Sequence, residues 1–267
     1  MSLTKEQIDQ FTIFGFVQLP QLFDPQEIGK ILKVSDAVWA SELGRAPQGA
    51  ESLSISLFVE REPDLTELLV VDDRLYVPLC QLLGEDMIWS GSEGNRGFEK
   101  DNNSHHWHAD RPNTRELGYL RVKAMIYLDP MRKETGAFRV IPGSHLSGFH
   151  ECLQPMQSVH GESSPTFFGL EGAELASYAV ETNPGDVVLF NQNLFHAVYG
   201  KTGSRRYIAL KYAARPQTDE HLASLHRWSD YAFQPDKTYM DSDNKRLRKM
   251  VEGLMDLKSK AATLPYP

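Results

Sequence analysis

The chain has 267 residues, 41% of them hydrophobic and 24% charged, an ordinary globular balance with enough length to bury one well-formed core. Its formal net charge of -8 argues against nucleic acid or an anionic membrane surface as the main partner, while leaving room for a local basic pocket that takes a small anion. Cys80 and Cys152 form no CxxC pair, the opening MSLTKEQIDQF is polar, and no run approaches the roughly 18 apolar residues of a membrane span, so a cytoplasmic protein is expected.

In chain order, residues 3–13 read as a short helix, with Thr4 and Gln7 in capping-box spacing. GFVQLP (15–20) is a brief strand, and Asp24-Pro25 opens a helix to about residue 40. Residues 45–60 read as a loop with a strand, followed by helical patterns at 62–70 and 73–84. From residue 86 the period shortens to that of strands, expected at 87–92, 104–110, 119–128, 137–141, 177–182, 186–191, 194–199 and 205–214. Pro142-Gly143, Pro184-Gly185 and Gly200 to Gly203 punctuate them. Residues 143–176 break the rhythm and read as a lid. The charged segment 241–260 is helical in pattern, with Leu247, Met250, Val251 and Leu254 on one face. Some eight strands with Gly/Pro turns predict a closed or double-sheet β structure, covered on one side by the N-terminal helices. The expected organisation is a single domain: helices over about 1–85, a β core over about 86–214 and a helical extension over about 215–267.

The chemistry concentrates in HHWHAD, residues 105–110. On a strand, residues two apart share a face, so His108 and Asp110 can bind one metal. His196, in a late strand of the same sheet, is the best third ligand. Two histidines and a carboxylate on one face of Fe(II) leave positions open for substrate and oxygen. Among nine histidines an HxD pair alone identifies nothing. The order of motifs does: HxD at 108–110, TGAFRVIPGSH at 135–145, NPGDVVLFNQNLFH at 183–196 and SRRYIALKY at 204–212.

This ordered set, with FTIFGFVQLPQLFDPQEI ahead of it, resembles the phytanoyl-CoA dioxygenase family of Fe(II)- and 2-oxoglutarate-dependent oxygenases, over roughly residues 8–214. The resemblance implies a double-stranded β-helix, or jelly-roll, core; iron on His108, Asp110 and His196; and 2-oxoglutarate and dioxygen as co-substrates. It further implies an arginine on the last core strand for the distal carboxylate of 2-oxoglutarate. Arg205 and Arg206 are both available, and counting back from Tyr212 favours Arg205. The carboxylate at Asp110 favours hydroxylation or a related oxidation over halogenation, because related halogenases carry Gly or Ala there. The implied reaction oxidises an unactivated C–H bond of a small-molecule metabolite and releases succinate and carbon dioxide. Two alternatives stand beside it: a jelly-roll metal-dependent isomerase or hydrolase that does not use 2-oxoglutarate, and an inactive binding module.

Other residues follow from strand alternation. His106 shares the expected face of His108 and Asp110, whereas His105 faces away. Trp107 then points into the opposite core. Lys123, Met125 and Tyr127 share one face of the next strand; Lys123 can bond the co-substrate or a substrate acid, and Tyr127 reads as core. Arg111 and Arg115, directly after the HxD, are expected to hold an anionic group of the substrate. Gly143 supplies turn geometry, His145 is structural, and Asn191 or Gln192 bonds the site.

Overall fold

The computed structural model describes residues 1–48, 51–97, 105–162, 165–228 and 237–264. Residue 104 of one expected strand, residues 163–164 of the expected lid and parts of the expected C-terminal extension therefore lie outside the described residues.

Local chemistry sets the N-terminal helices. Helix α1 (Lys5–Phe14) is capped by the Thr4 hydroxyl, which accepts from the Gln7 amide while Gln7 returns the bond. Helix α2 (Pro25–Leu43) begins in the same way on Asp24, with Pro25 in its first turn. Helices α3 (Pro63–Leu69) and α4 (Asp73–Leu83) fall where the apolar period places them. Between α1 and α2 runs the short strand β1 (Phe16–Leu19).

The remaining strands build two facing antiparallel sheets. In chain order they are β2 (Leu53–Ser56), β3 (Ile88–Arg96), β4 (His105–His108), β5 (Arg121–Tyr127), β6 (Phe138–Val140), β7 (Thr166–Phe167), β8 (Leu170–Glu171), β9 (Tyr178–Val180), β10 (Val187–Asn191), β11 (His196–Val198) and β12 (Tyr207–Ala213). The major sheet runs β1-β10-β5-β12-β3-β2 and the minor sheet β4-β11-β6-β9, while β7 and β8 form a separate hairpin. The sheets stack without closing into a barrel, the expected jelly-roll arrangement.

Side-chain alternation sorts the core into three layers. Met125, Tyr127, Val188, Phe190 and Ala209 of the major sheet meet Phe138, Val140 and Val180 of the minor sheet. The other face of the major sheet, with Val122, Ala124, Ile126, Leu189, Ile208 and Leu210, packs under the helices. Trp107, Ala197 and Tyr199, on the outer face of the minor sheet, pack against Leu153, Met156 and Phe167.

That third layer revises the reading of residues 143–176. Helices α5 (Phe149–Cys152) and α6 (Gln154–Ser158) and the β7–β8 hairpin cover the back of the minor sheet, while His160, just after α6, packs on His108 with ring centroids 4.4 Å apart. Burying the Trp107 face is what holds the segment there. After β12, helix α7 (Asp219–Trp228) precedes a short turn, α8 (Lys237–Met240). The expected long C-terminal helix is two: α9 (Lys245–Val251) and α10 (Leu254–Ala261), separated at Gly253, whose φ of 70° is left-handed. The anticipated stripe Leu247, Met250, Val251 and Leu254 is nonetheless buried. Among the described residues no helix is long and apolar enough to cross a membrane.

Candidate metal centre

A cavity of about 390 Å³ opens between the sheets, and His108, Asp110 and His196 lie on its wall. One ligand atom from each falls within 4.8 Å of the others, a set that could hold a metal ion. His108 closes β4, Asp110 sits in the bend just after it, and His196 opens the neighbouring β11, directly opposite His108. The rest of the wall that matters chemically comes from the inner face of the major sheet: Glu93 and Asn95 on β3, Lys123 on β5, and Arg205, Tyr207 and Lys211 along β12 and the residues before it.

The donor set fits a metal ion. His108 Nδ1 lies 2.7 Å from the His106 carbonyl and His196 Nδ1 lies 2.9 Å from the Leu194 carbonyl. A carbonyl only accepts, so each Nδ1 carries the proton and each Nε2 keeps its lone pair for a ligand. Burial pushes His108 below its ordinary pKa, and burial with His108 beside it pushes His196 down to about 3, so both rings are neutral at pH 7. Asp110 Oδ1 lies 3.8 Å from both Nε2 atoms. Its other oxygen, Oδ2, makes a 2.6 Å ion pair with Lys123 Nζ. Burial alone would raise the Asp110 pKa, but Lys123, through its charge and its hydrogen bond, together with His196 and His108 outweighs it and holds the carboxyl well below its ordinary range. Gln157 of α6 steadies the same bend by accepting from the Ala109 amide at 3.0 Å.

The two arginines before β12 separate as alternation requires. Arg205 lines the cavity, with its guanidinium 4.6 Å from the Tyr207 ring centroid and Nε donating to the Gly136 carbonyl at 3.3 Å. Arg206 turns to the helix side and grips Asp129 through Nε at 3.0 Å and Nη2 at 2.8 Å. The structure thus brings Arg205 and Lys123 to the cavity, and keeps Arg206 from it.

Arg111 and Arg115 are not brought there either. Arg111 is buried beside Glu116, at 3.7 Å, and Arg115 is exposed in the turn Thr114–Glu116. Alternation also fails at the start of β4. Val198 pairs with His105 while His196 pairs with His108, so two steps on β11 face three on β4. This bulge turns both His106 and Trp107 outward. His106 lies against Tyr199 and Phe167, and Trp107 donates to the Gly172 carbonyl at 2.8 Å. His105, expected to face away, lines the cavity instead. Trp107 does occupy the opposite core as expected, and His145 donates through Nε2 to the Thr12 carbonyl at 3.1 Å, a structural tie. Gln192 lines the cavity, whereas Asn191 accepts from the Asn193 amide.

Residues missed from the sequence are Glu93, Asn95 and Lys211, with Glu93 and Lys211 paired across the cavity wall. Lys211 was readable, because Arg205, Tyr207, Ala209 and Lys211 are spaced by two. Glu93 and Asn95 lie beyond the expected end of their strand. Tyr127 is fully buried between the sheets, and its hydroxyl has no hydrogen-bond partner.

Two facing antiparallel sheets with a two-histidine, one-carboxylate cluster between them define the class of non-haem iron oxygenase scaffolds. The model of the phytanoyl-CoA dioxygenase (PhyH) family matches residues 11–207, and the chain belongs to that family. It is accordingly a 2-oxoglutarate-dependent non-haem iron enzyme, with Fe(II), 2-oxoglutarate and dioxygen as its cofactors. No curated protein matches the chain in sequence. Among solved structures, it is similar to HygX from Streptomyces hygroscopicus with nickel and 2-oxoglutarate bound, at 20% identity and TM-score 0.65, over 80% of this chain and 88% of that one. It is also similar to SnoK, an alpha-ketoglutarate-dependent carbocyclase of nogalamycin biosynthesis, at 19% identity and TM-score 0.61, over 79% and 84% of the two chains. A third similar structure is apo EctD from S. alaskensis, at 22% identity and TM-score 0.60, over 79% and 77%. At these identities the likenesses show the fold.

Proposed function

We propose that this enzyme hydroxylates, or otherwise oxidises, an unactivated C–H bond of a small polar metabolite, with iron on His108, Asp110 and His196 and 2-oxoglutarate anchored by Arg205. One observation carries the reading: both imidazoles are locked by backbone carbonyls with Nε2 free beside Asp110 Oδ1. When bound, iron and 2-oxoglutarate together supply the oxidising equivalent, and the co-substrate is consumed to succinate and carbon dioxide.

The chain's own residues have defined tasks in this scheme. His108 and His196 donate neutral lone pairs, and Asp110 contributes one anionic oxygen. Arg205 presents a planar guanidinium on the inner face, suited to a carboxylate. The two sheets wall the cavity against bulk water on either side. Beyond those groups the wall mixes polar residues, Ser52, Ser54, Glu93, Asn95 and Lys211, with apolar ones, among them Leu53, Met125, Phe138, Phe190 and Val198. The charged and hydroxyl groups in that lining suit a compact substrate with polar groups to bond and an apolar skeleton to pack. HygX has been crystallised with hygromycin B. The retained Asp110 carboxylate favours hydroxylation over halogenation.

The test is succinate formation from 2-oxoglutarate by the iron-loaded enzyme, with and without oxygen, across a panel of polar metabolites. Oxygen-dependent succinate release that a panel member stimulates, with a mass gain of one oxygen in that compound, is the expected result. Conversion of a panel member without succinate or oxygen consumption would replace the reading with a non-oxidative metal enzyme.

A further inference from the structure

The iron-binding carboxylate is divided between two partners. Asp110 Oδ1 lies 3.8 Å from the Nε2 atoms of both histidines, whereas Oδ2 is held at 2.6 Å by Lys123 Nζ. Lys123 is fixed from below by the sheet. It lies between Val122 and Ala124, which point into the helix-side core, and is paired in register with Lys211 on β12 and Phe190 on β10. Its side chain is only 14% exposed, and its ammonium lies 5.8 Å from the Phe190 ring centroid. Asp110 stands in a bend rather than in a strand, so backbone pairing does not fix its carboxylate. A carboxylate with both oxygens free can chelate a metal, and in doing so it occupies two positions instead of one.

Resting on the reading above, we propose that Lys123 is a positioning residue that keeps Asp110 a one-oxygen ligand and so preserves an open coordination position on the metal. The consequence is arithmetic. A six-coordinate ion with three protein donors retains three positions, two for a chelating 2-oxoacid and one for a diatomic gas. A chelating Asp110 would remove the last of these. In this role Lys123 acts on the metal through Asp110. This differs from the co-substrate contact expected from the sequence.

The test uses the full chain loaded with Fe(II) and saturating 2-oxoglutarate without oxygen, and nitric oxide as the probe of the open position. Lys123→Met removes the charge and keeps the length. The expected result is retained iron and a retained 2-oxoglutarate charge-transfer band, with nitric oxide affinity, read from the electron paramagnetic resonance of the nitrosyl, lowered on the order of tenfold or more. Lys123→Arg, which restores the charge, should recover part of that loss. A purely structural role would lower the melting temperature and leave nitric oxide affinity unchanged, and that outcome overturns the inference. A crystal structure of the metal-loaded wild-type enzyme decides without any variant: Asp110 bound through one oxygen with Lys123 on the other supports it, and a chelating Asp110 overturns it. Wild-type protein that binds neither iron nor 2-oxoglutarate would remove the functional reading and this inference with it.

Discussion

The two sheets contribute to the cavity in opposite ways. The minor sheet and the turn after it supply His108, Asp110 and His196, and both imidazoles are already bonded to a carbonyl two residues earlier in their own chain segment. The major sheet supplies Glu93, Lys123, Arg205 and Lys211, charged groups on long side chains. The two imidazoles are oriented by backbone, whereas the Asp110 carboxylate is paired with Lys123 of the major sheet. The major-sheet set is oriented by strand alternation and offers its charge to whatever enters. The two sheets meet at the Asp110–Lys123 pair, and away from that pair substitutions on one sheet should leave the other's function measurable.

The largest expected break is on the minor sheet. His108→Ala, Asp110→Ala or His196→Ala should each lose Fe(II) by more than about 100-fold in affinity and abolish turnover, since even supporting residues of metal sites cost 10–100-fold. Metal analysis after gel filtration, with circular dichroism to confirm the fold, checks this; full iron content in His196→Ala would sink the assignment. Next comes the major sheet. Arg205→Ala should weaken 2-oxoglutarate by about 30-fold or more while iron stays, because a charged, directional partner is lost. Arg206→Ala should leave 2-oxoglutarate within about threefold and instead cost about 1–2 kcal/mol of stability through Asp129. Anaerobic titration of both iron-loaded variants distinguishes them, and the reverse pattern would exchange their roles.

How much of this the sequence could carry depends on what positions each residue. Alternation says only that Arg205 and Arg206 face opposite ways; the family resemblance, counted back from Tyr212, picked Arg205 as the inward one, and the structure has Arg205 on the cavity wall. The HxD and His196 were legible through the order of the motifs around them, since the HxD pair alone identifies nothing. The turn of His105 toward the cavity was not, since the bulge in β4 arises from pairing with β11, and no local signal in HHWH announces it. The second half of β3 was missed for a related reason. SGSEGNR carries no apolar alternation, and its strand character comes from neighbours on both sides, β2 and β12. Gly94 shows the tertiary constraint directly: a Cβ there would lie 2.1 Å from the Phe58 ring.

Smaller effects sharpen the contrast. In the metal-free protein, burial has moved His196 to about 3, below the roughly 6.5 of an unfolded histidine. Its contribution to stability is therefore full above about pH 6.5 and is lost as pH falls toward 3, with His108 acting in the same direction. Thermal melts of the apo protein from about pH 7 to 4 should show a falling midpoint, with a slope of up to about 1 kcal/mol per pH unit from each ring; a flat profile would contradict the buried neutral pair. Gln157→Ala, which frees the Ala109 amide, should weaken iron by about tenfold or less without altering 2-oxoglutarate affinity in the iron-loaded state. Smallest of all, Tyr127→Phe should leave the melting temperature of the apo protein unchanged or slightly higher, because its hydroxyl has no partner to lose. A clear drop would mean that an acceptor holds it.

The bulge at the head of β4 has a bearing on where a change of length would be felt. It works as a phase shift between two stretches of side chains: upstream of it the inward position is His105, downstream it is His108. Removing one residue between them, His106 or Trp107, would restore strict alternation with His105 and His108 both still facing inward. Everything from His108 onward would keep its place against β11. A length change at this point would thus be felt on the outer face of the minor sheet, which loses one of two side chains, and not at the cavity wall.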